Sequence, residues 1–247
     1  MGRNADTVNE TEPTSAKAGL WEDFVDIFYA PSAVFTRRAD GKFGLALLAL
    51  VIASVILSYL TKNAMQPIMD AEFARNSAQA MRQNPNLTAE QMASGRAFFE
   101  KIAPILFAVF MMIGVFGTGL VLWVVGKLFE AKESLAAAIM IATYSEVPRL
   151  VQVLVSAAQA LFMSPESLNA ANSVGLNLAR FMNPDTASPV MIALGSRVDL
   201  FTIWVTVLLA IGIHVVGKIP KQQAAIVAGI TWLVGAVPAL FGALRAG

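Results

Sequence analysis

The sequence predicts an all-α protein, a polytopic membrane helix bundle with five transmembrane helices and an N-terminal amphipathic helix. Of the 247 residues, 56% are hydrophobic and only 14% are charged, against about one quarter charged in a typical soluble domain. The charged residues also leave four long windows empty, at 43–61, 102–126, 200–217 and 222–244. Because a bilayer core about 30 Å thick requires roughly 20 apolar residues in a helix, each window can span it.

The N-terminal part of the chain changes character near residue 18. Residues 1–18 are polar and form a predicted disordered tail, whereas residues 19–247 form the predicted membrane domain. Apolar and acidic side chains then alternate at helical spacing, which predicts an amphipathic helix over 20–30 that Pro31 ends. Its apolar positions are Trp21, Phe24, Val25, Ile27 and Phe28, and its acidic positions are Glu22, Asp23 and Asp26. We expect this helix either to pack under the bundle or to lie at the membrane surface.

A hydrophilic loop, 62–101, separates the first span at 43–61 from the second at 102–126. Within it, Thr88 and Gln91 have the spacing of a capping box, in which each side chain accepts a hydrogen bond from the other residue's backbone amide. This pattern predicts a helix that begins directly after Thr88 and continues into the second span. We therefore expect the loop to be structured.

Small residues and a proline give further expectations about the second and fifth spans. Gly114, Gly117 and Gly119 lie in the second span, where small side chains let a neighbouring helix approach closely. Pro238 lies inside the fifth span, 222–244, and predicts a kink there.

The third span is unusual because charge falls inside it. Two charge-free windows, 134–145 and 150–165, are each short or borderline for a bilayer, and residues 146–149 separate them. We interpret 134–163 as one helix kinked at Pro148. Glu146 and Arg149 flank the proline and are three residues apart, which is close enough on a helix for their side chains to pair.

The polar side chains of this third span form the candidate site, because charged residues in a span are costly and usually face the bundle interior or a water-filled cavity. The candidates are Tyr144, Glu146, Pro148, Arg149, Gln152 and Gln159. In one interpretation they line a path for a small solute, a proton or a lipid headgroup. In the other, Glu146 and Arg149 form a structural ion pair that fixes the kink, and the spacing is compatible with both.

Basic residues near the ends of the spans predict the orientation. The short turns 127–133 and 218–221 each hold two lysines, and Arg37, Arg38 and Lys42 precede the first span. Because short cytoplasmic loops are enriched in Lys and Arg, we expect the N-terminus in the cytoplasm and the C-terminus outside.

Composition and motifs argue against several kinds of function. Cysteine is absent and His214 is the sole histidine, so we expect no metal site, and we identify no catalytic residues and no cofactor. The net charge of +1 forms no basic stripe, so we expect no nucleic-acid partner.

Two short motifs link this layout to a known family. The run from Asp26 to Pro31, Asp-Ile-Phe-Tyr-Ala-Pro, resembles an Asp-Leu-Tyr-Gly-Pro motif, with one extra residue and Ala30 in place of glycine. The run from Tyr144 to Pro148 resembles a Tyr-x-x-x-Pro element. With the five spans and the hydrophilic first loop, the chain resembles the bacterial branch of the Yip1 family, and Asp26, Tyr29 and Pro31 are the candidate residues of its N-terminal motif.

The resemblance implies a fold, an orientation and a class of function. Eukaryotic members of the family are implicated in vesicle traffic and in binding prenylated Rab GTPases, a role that does not transfer to a bacterial chain. What it implies here is a five-span protein of the inner membrane, with a cytoplasmic N-terminus, that binds the lipid bilayer and either other membrane proteins or itself as a homo-oligomer.

We therefore expect a non-enzymatic scaffold or adaptor in membrane organisation or a trafficking-like process. One alternative is a transporter, channel or lipid-moving protein that uses the polar face of the third span. Another is an intramembrane enzyme.

Overall fold

The computed structural model describes residues 19–246, so the predicted disordered tail at 1–18 lies outside the described residues. The described chain is helical, with one isolated β-bridge and no strand, which confirms the predicted all-α class. The helices are α1 (Leu20–Asp26), α2 (Pro31–Arg37), α3 (Gly44–Leu60), α4 (Lys62–Gln83), α5 (Ala89–Leu128), α6 (Leu135–Ser145), α7 (Pro148–Phe162), α8 (Pro189–Arg197), α9 (Leu200–Gly217), α10 (Lys221–Val234) and α11 (Val237–Ala246). Three short 3-10 turns lie between α7 and α8.

Four to five segments are long and apolar enough to cross a membrane. Four of them are α5, α6 with α7 as Leu135–Phe162, α9, and α10 with α11 as Lys221–Arg245. The fifth arises when α3 and α4, which are bent by 78° at Thr61, are taken together as one broken span. The helix lengths and composition therefore fit a membrane bundle.

The helix α6 lies at the centre of this bundle. Every residue from Ala137 to Ser145 is buried, and α6 packs against α3, α5 and α9. Glycines permit this close packing on two sides. A Cβ on Gly119 of α5 would lie 2.8 Å from the Cα of Ile139, and one on Gly212 of α9 would lie 2.3 Å from the Cγ2 of Ile141.

The 40 residues of α5 make a helix about 60 Å long, only part of which packs in the bundle. Its buried residues all lie at or after Val115. A Cβ on Gly114 or on Gly117 would meet nothing within 4 Å. The predicted close approach of a neighbouring helix is therefore confirmed for Gly119 and is wrong, among residues 19–246, for the other two glycines.

The hydrophilic loop after the first span consists of α4, a turn, and the start of α5. The capping box is confirmed, because the Thr88 hydroxyl accepts from the Gln91 amide at 3.2 Å and the Thr88 amide donates to Gln91 Oε1 at 3.0 Å. We refer to α4 and residues 163–188 together as the cap. Its parts are joined by Arg75, whose guanidinium donates to the Asn169 carbonyl at 2.9 Å.

The N-terminal helix ends earlier than expected, and a second helix follows it. Pro31 is the first residue of α2, a position where its missing N–H costs no helical hydrogen bond. The segment packs against the bundle, with the ring of Phe28 at 5.4 Å from that of Trp204. Asp23, expected on the polar face, is instead fully buried.

The last span is interrupted just before its proline. α10 ends at Val234 and α11 begins at Val237, so the break falls at Gly235 and Ala236. Pro238 is then the second residue of α11, in the first turn of a helix, where proline is tolerated.

Candidate functional site

The helix break before Pro148 organises the candidate site. α6 ends at Ser145 and α7 begins at Pro148, so Glu146 and Val147 form the junction. The backbone stays hydrogen-bonded at the junction between residues three apart instead of four, since the Arg149 amide donates to the Glu146 carbonyl at 3.0 Å. The break places two charged residues, Glu146 and Arg149, at the start of α7.

A chain of polar contacts joins the junction to the start of α9. Arg149 forms an ion pair with Glu146 and donates from Nη1 to Gln152 Oε1 at 3.2 Å. Gln152 Nε2 in turn donates to Asp199 Oδ1 at 3.3 Å. Asp199 is the N-cap of α9, where Oδ1 also accepts from the Thr202 amide at 3.0 Å. We call Glu146, Arg149, Gln152, Arg197 and Asp199 the break cluster.

Arg197 adds a second cation to the break cluster. Its Nη2 donates to the Trp232 carbonyl at 2.8 Å, and its Cζ lies 5.6 Å from the centroid of the Trp232 ring. Burial lowers the pKa of the Arg197 guanidinium, and the charge of Arg149 acts in the same direction while that of Glu146 opposes it. Arg197 therefore lies within electrostatic reach of the ion pair.

Three buried polar atoms around the break cluster have no hydrogen-bond partner within residues 19–246. They are Arg197 Nε, Asp199 Oδ2 and Trp232 Nε1. Two are donors and one is an acceptor, so this part of the cluster retains capacity to bind water or a polar group.

Tyr144 belongs to a different group, formed with the N-terminal helices. Its hydroxyl donates to Asp23 Oδ2 at 3.3 Å. Arg37 donates from Nη2 to Asp23 Oδ1 at 2.8 Å, and Arg38 donates from Nε to Asp23 Oδ2 at 2.6 Å. Two arginines and a tyrosine thus surround one buried carboxylate, which ties α1 and α2 to the centre of the bundle.

The predicted N-terminal motif forms the corner between α1 and α2. The Tyr29 hydroxyl donates to Asp26 Oδ1 at 2.7 Å, and Arg37 Nη2 lies 2.5 Å from Asp26 Oδ2. The Tyr29 hydrogen bond and Arg37 lower the pKa of Asp26, and the same hydrogen bond raises the pKa of Tyr29. Pro31 then starts α2, so the three motif residues shape a corner.

Gln159 lies apart from the break cluster, further along α7. Its Oε1 accepts from the Gly175 amide at 2.6 Å, where Gly175 has a left-handed φ of 99°. The same stretch of chain bridges to α9 through Asn177 and Asp199. Gln159 therefore holds this stretch of the cap against α7.

The structure thus divides the six predicted candidates. It brings Glu146, Arg149 and Gln152 into contact, places Pro148 at the junction, and assigns Tyr144 and Gln159 to two other groups. Three further residues of these polar groups, Asp23, Arg197 and Asp199, were not among the predicted site residues. Asp199 had a usable signal, since an aspartate three residues before Thr202 and directly before an apolar run is a typical N-cap.

Residues 19–246 contain no group of three His, Asp or Glu side chains placed to hold a metal ion. His214 has a local structural contact, with its Nδ1 at 2.6 Å from the carbonyl oxygen of Ile219 in the turn after α9.

Comparison with known proteins places this fold. No curated protein and no solved structure matches the chain significantly. The family model described as the Yip1 domain matches residues 25–242, from within α1 to within α11. Because that match covers most of a chain with four to five candidate spans, this membrane protein belongs to the Yip1 family.

Proposed function

We propose that this protein is a non-enzymatic scaffold or adaptor of the inner membrane that binds other membrane proteins or further copies of itself. The observation that supports this proposal is the exposed apolar surface of α5. None of its residues from 89 to 114 is buried, although the apolar part of the helix begins at about 102. Phe110 and Ile113 are among the exposed apolar side chains of this stretch.

Two small residues make this face suited to another helix. Gly114 and Gly117 both lack a neighbour within 4 Å of their Cβ positions, and Gly114 is exposed one turn beyond Phe110. In membranes, helices associate through small residues that let backbones approach, because apolar side chains gain little by leaving lipid. A second helix could therefore pack closely on α5 where the chain itself does not.

The polar groups favour a structural role over a catalytic one. Glu146 pairs with Arg149 at the junction of α6 and α7, and Asp23 of α1 is surrounded by Arg37 and Arg38 at the end of α2. A general acid or base must face a site that admits a substrate, whereas these carboxylates face arginines of the same chain. This supports the proposal of a non-enzymatic protein.

Photo-crosslinking from two matched phenylalanines tests the proposal. Phe110 of α5 and Phe241 of α11 are 65% and 54% exposed, and both lie on candidate spans. We expect benzoylphenylalanine at position 110 to give discrete protein adducts in native membranes, including a dimer if the chain self-associates, and position 241 to give mostly lipid adducts. Lipid adducts alone from both positions would contradict the proposal.

The main alternative is a transporter, channel or lipid-moving protein. The observation in its favour is the set of unpartnered buried atoms on Arg197, Asp199 and Trp232. In that case purified protein in liposomes should move a solute or lipid, and Asp199→Asn should abolish the movement. Such a result, with no crosslinked partner, would reverse the order of the two proposals.

The proposed orientation has a cytoplasmic N-terminus and an external C-terminus. The Lys132 amide donates to the Gly217 carbonyl at 2.9 Å, and Gly41 packs against Ala136 and Ala137, which supports one common end for the lysine-rich turns and the basic segment before α3. An excess of Lys and Arg in short segments favours the cytoplasmic side.

A further inference from the structure

We propose that a cavity at the lysine-rich end of the bundle binds the phosphate of an anionic phospholipid headgroup. The cavity measures about 370 Å³ and lies between the turn that joins α5 to α6 and the turn that joins α9 to α10. Lys132, Glu133, Ser134 and Lys218 are its polar lining residues, and Ala137 and Val216 contribute apolar surface. This site is separate from the break cluster and from the exposed face of α5.

A backbone hydrogen bond between the two turns brings the positions of Lys132 and Lys218 together at the cavity. The amide of Lys132 donates to the carbonyl of Gly217, the residue before Lys218, at 2.9 Å. Lys218 itself adopts a left-handed conformation, with φ 57° and ψ 35°, as it ends α9. The backbone of Lys132 is therefore hydrogen-bonded to the residue directly before Lys218.

Neither of these lysines has an acidic partner. Within the described part of the chain no carboxylate lies within 4 Å of the Lys132 or Lys218 ammonium, whereas Lys42 pairs with Asp40 at 3.0 Å. Two unpaired cations at one cavity attract an anion with more than one oxygen, and phosphate offers several strong acceptors.

Among the described residues that line the cavity, Glu133 carries the one carboxylate, and that carboxyl group is buried. Glu133 Oε1 lies 2.8 Å from the position of a Cβ on Gly126, and Oε2 lies 2.9 Å from that on Gly217. Both oxygens are buried, so the two glycines provide a recess for the carboxyl group. Lys127, with its ammonium 3.9 Å from Oε1, offsets its charge. The surface that an anion would meet is therefore formed by lysines and a hydroxyl.

The location favours a lipid over a soluble phosphate. The cavity lies at the ends of candidate spans, and two exposed leucines, Leu128 at the end of α5 and Leu135 at the start of α6, stand beside it in the chain. A ligand with a phosphate and acyl chains can contact both the lysines and these leucines. Basic pockets between spans at a membrane surface are suited to anionic headgroups.

Lipid-dependent stabilisation of the purified full-length chain tests the site. In detergent we expect added phosphatidylglycerol to raise the unfolding temperature more than phosphatidylcholine does. The double change Lys132→Gln with Lys218→Gln should weaken the apparent affinity for phosphatidylglycerol about tenfold or more, since each basic residue near an anionic lipid strengthens the binding. Arginine at both positions should retain binding.

The matched control removes the same charge at the same end. Lys42→Gln with Lys221→Gln changes two lysines that do not line the cavity, and we expect the apparent affinity to change by less than about threefold. Equal losses in the two double variants would overturn the proposal, because they would indicate diffuse attraction. Equal stabilisation by soluble glycerol phosphate at the same concentration would also overturn it. If the glutamine pair fails to fold, Lys218→Gln alone should weaken binding about fivefold, and unchanged binding would contradict the site.

Discussion

Glu133 is an acidic residue in a buried environment, which disfavours its charged form. Its side chain is buried, and its carboxyl oxygens lack a hydrogen-bond partner among the described residues. Burial raises the pKa of the Glu133 carboxyl above its usual value of 4.5, while the positive charge of Lys127 opposes the rise. The ionised carboxylate is therefore less favourable in the folded protein than in the unfolded chain.

The change Glu133→Gln is expected to stabilise the protein at neutral pH. A carboxyl whose pKa is higher in the folded state contributes stability below its unfolded pKa, and that contribution is lost as pH rises through the folded pKa. The unfolding temperature of the glutamine variant should exceed that of the wild type at pH 7, with the difference shrinking toward pH 4. Glu130→Gln, an exposed position in the same turn, is the control, and a less stable Glu133→Gln variant at pH 7 would contradict the argument.

Glu146 and Arg149 should be energetically coupled. Removing one partner of a partly buried pair strands the other charge, while removing both does not. We expect Glu146→Gln and Arg149→Met each to lower the unfolding free energy, and the double variant to lose less than their sum by about 0.5–1.5 kcal/mol, in the lower part of the usual range because Arg149 is 35% exposed. Thermal unfolding in detergent measures the cycle, and strict additivity would contradict the pairing.

Pairs of residues close together in the sequence were predictable, and pairs that form across the bundle were not. The spacing of Glu146 and Arg149 defines their contact, because positions three apart in a helix are neighbours. The contact of Asp23 with Tyr144 joins positions 121 residues apart, and no local pattern indicates it. For the same reason Asp23 was assigned to the polar face of α1 although the structure buries it.

Helix α6 depends on glycines in the helices on either side of it. We expect Gly212→Ala to destabilise the protein by about 1–3 kcal/mol, because its Cβ would lie 2.3 Å from Ile141 and the core would be overpacked. Gly114→Ala is the matched control, since its Cβ meets nothing, and alanine is the better helix former by about 1 kcal/mol. Thermal unfolding compares the two variants, and equal effects would contradict the packing argument.

Apolar elements were easier to predict than polar ones. The charge-free window 200–217 and helix α9 share their bounds. By contrast, α4 lies in the stretch predicted as a structured loop, because this helix is polar and packs against α7. Pro238 indicated a kink in the fifth span, yet the helix breaks at Gly235 instead. A Cβ on Gly235 would lie 2.6 Å from Arg197 Nη2.

At the scale of the whole molecule, contacts between distant segments define two ends of the bundle. At one end Gly41 packs on Ala136, and the amide of Lys132 bonds to Gly217. At the other, Arg75 of α4 bonds to Asn169, which brings two hydrophilic segments into one cap. Since α3 runs from the first end to the cap, it crosses the bundle despite its length of only 17 residues. Sequence windows predict the spans, of which the structure has four to five candidates, but they do not predict this pairing of loops.

The pairing of loops predicts which positions share a side of the membrane. The chain lacks cysteine, so single cysteines at exposed positions can be labelled against a silent background. We expect Asn86→Cys in the turn after α4 and Asn183→Cys in the cap to react with a membrane-impermeant maleimide in intact cells, and Lys218→Cys to react only after permeabilisation. If Lys218→Cys alone reacts in intact cells, the orientation is the opposite of the one proposed. Labelling of Asn86→Cys and Asn183→Cys on opposite sides would contradict the cap itself, because α4 and residues 163–188 could not then be in contact.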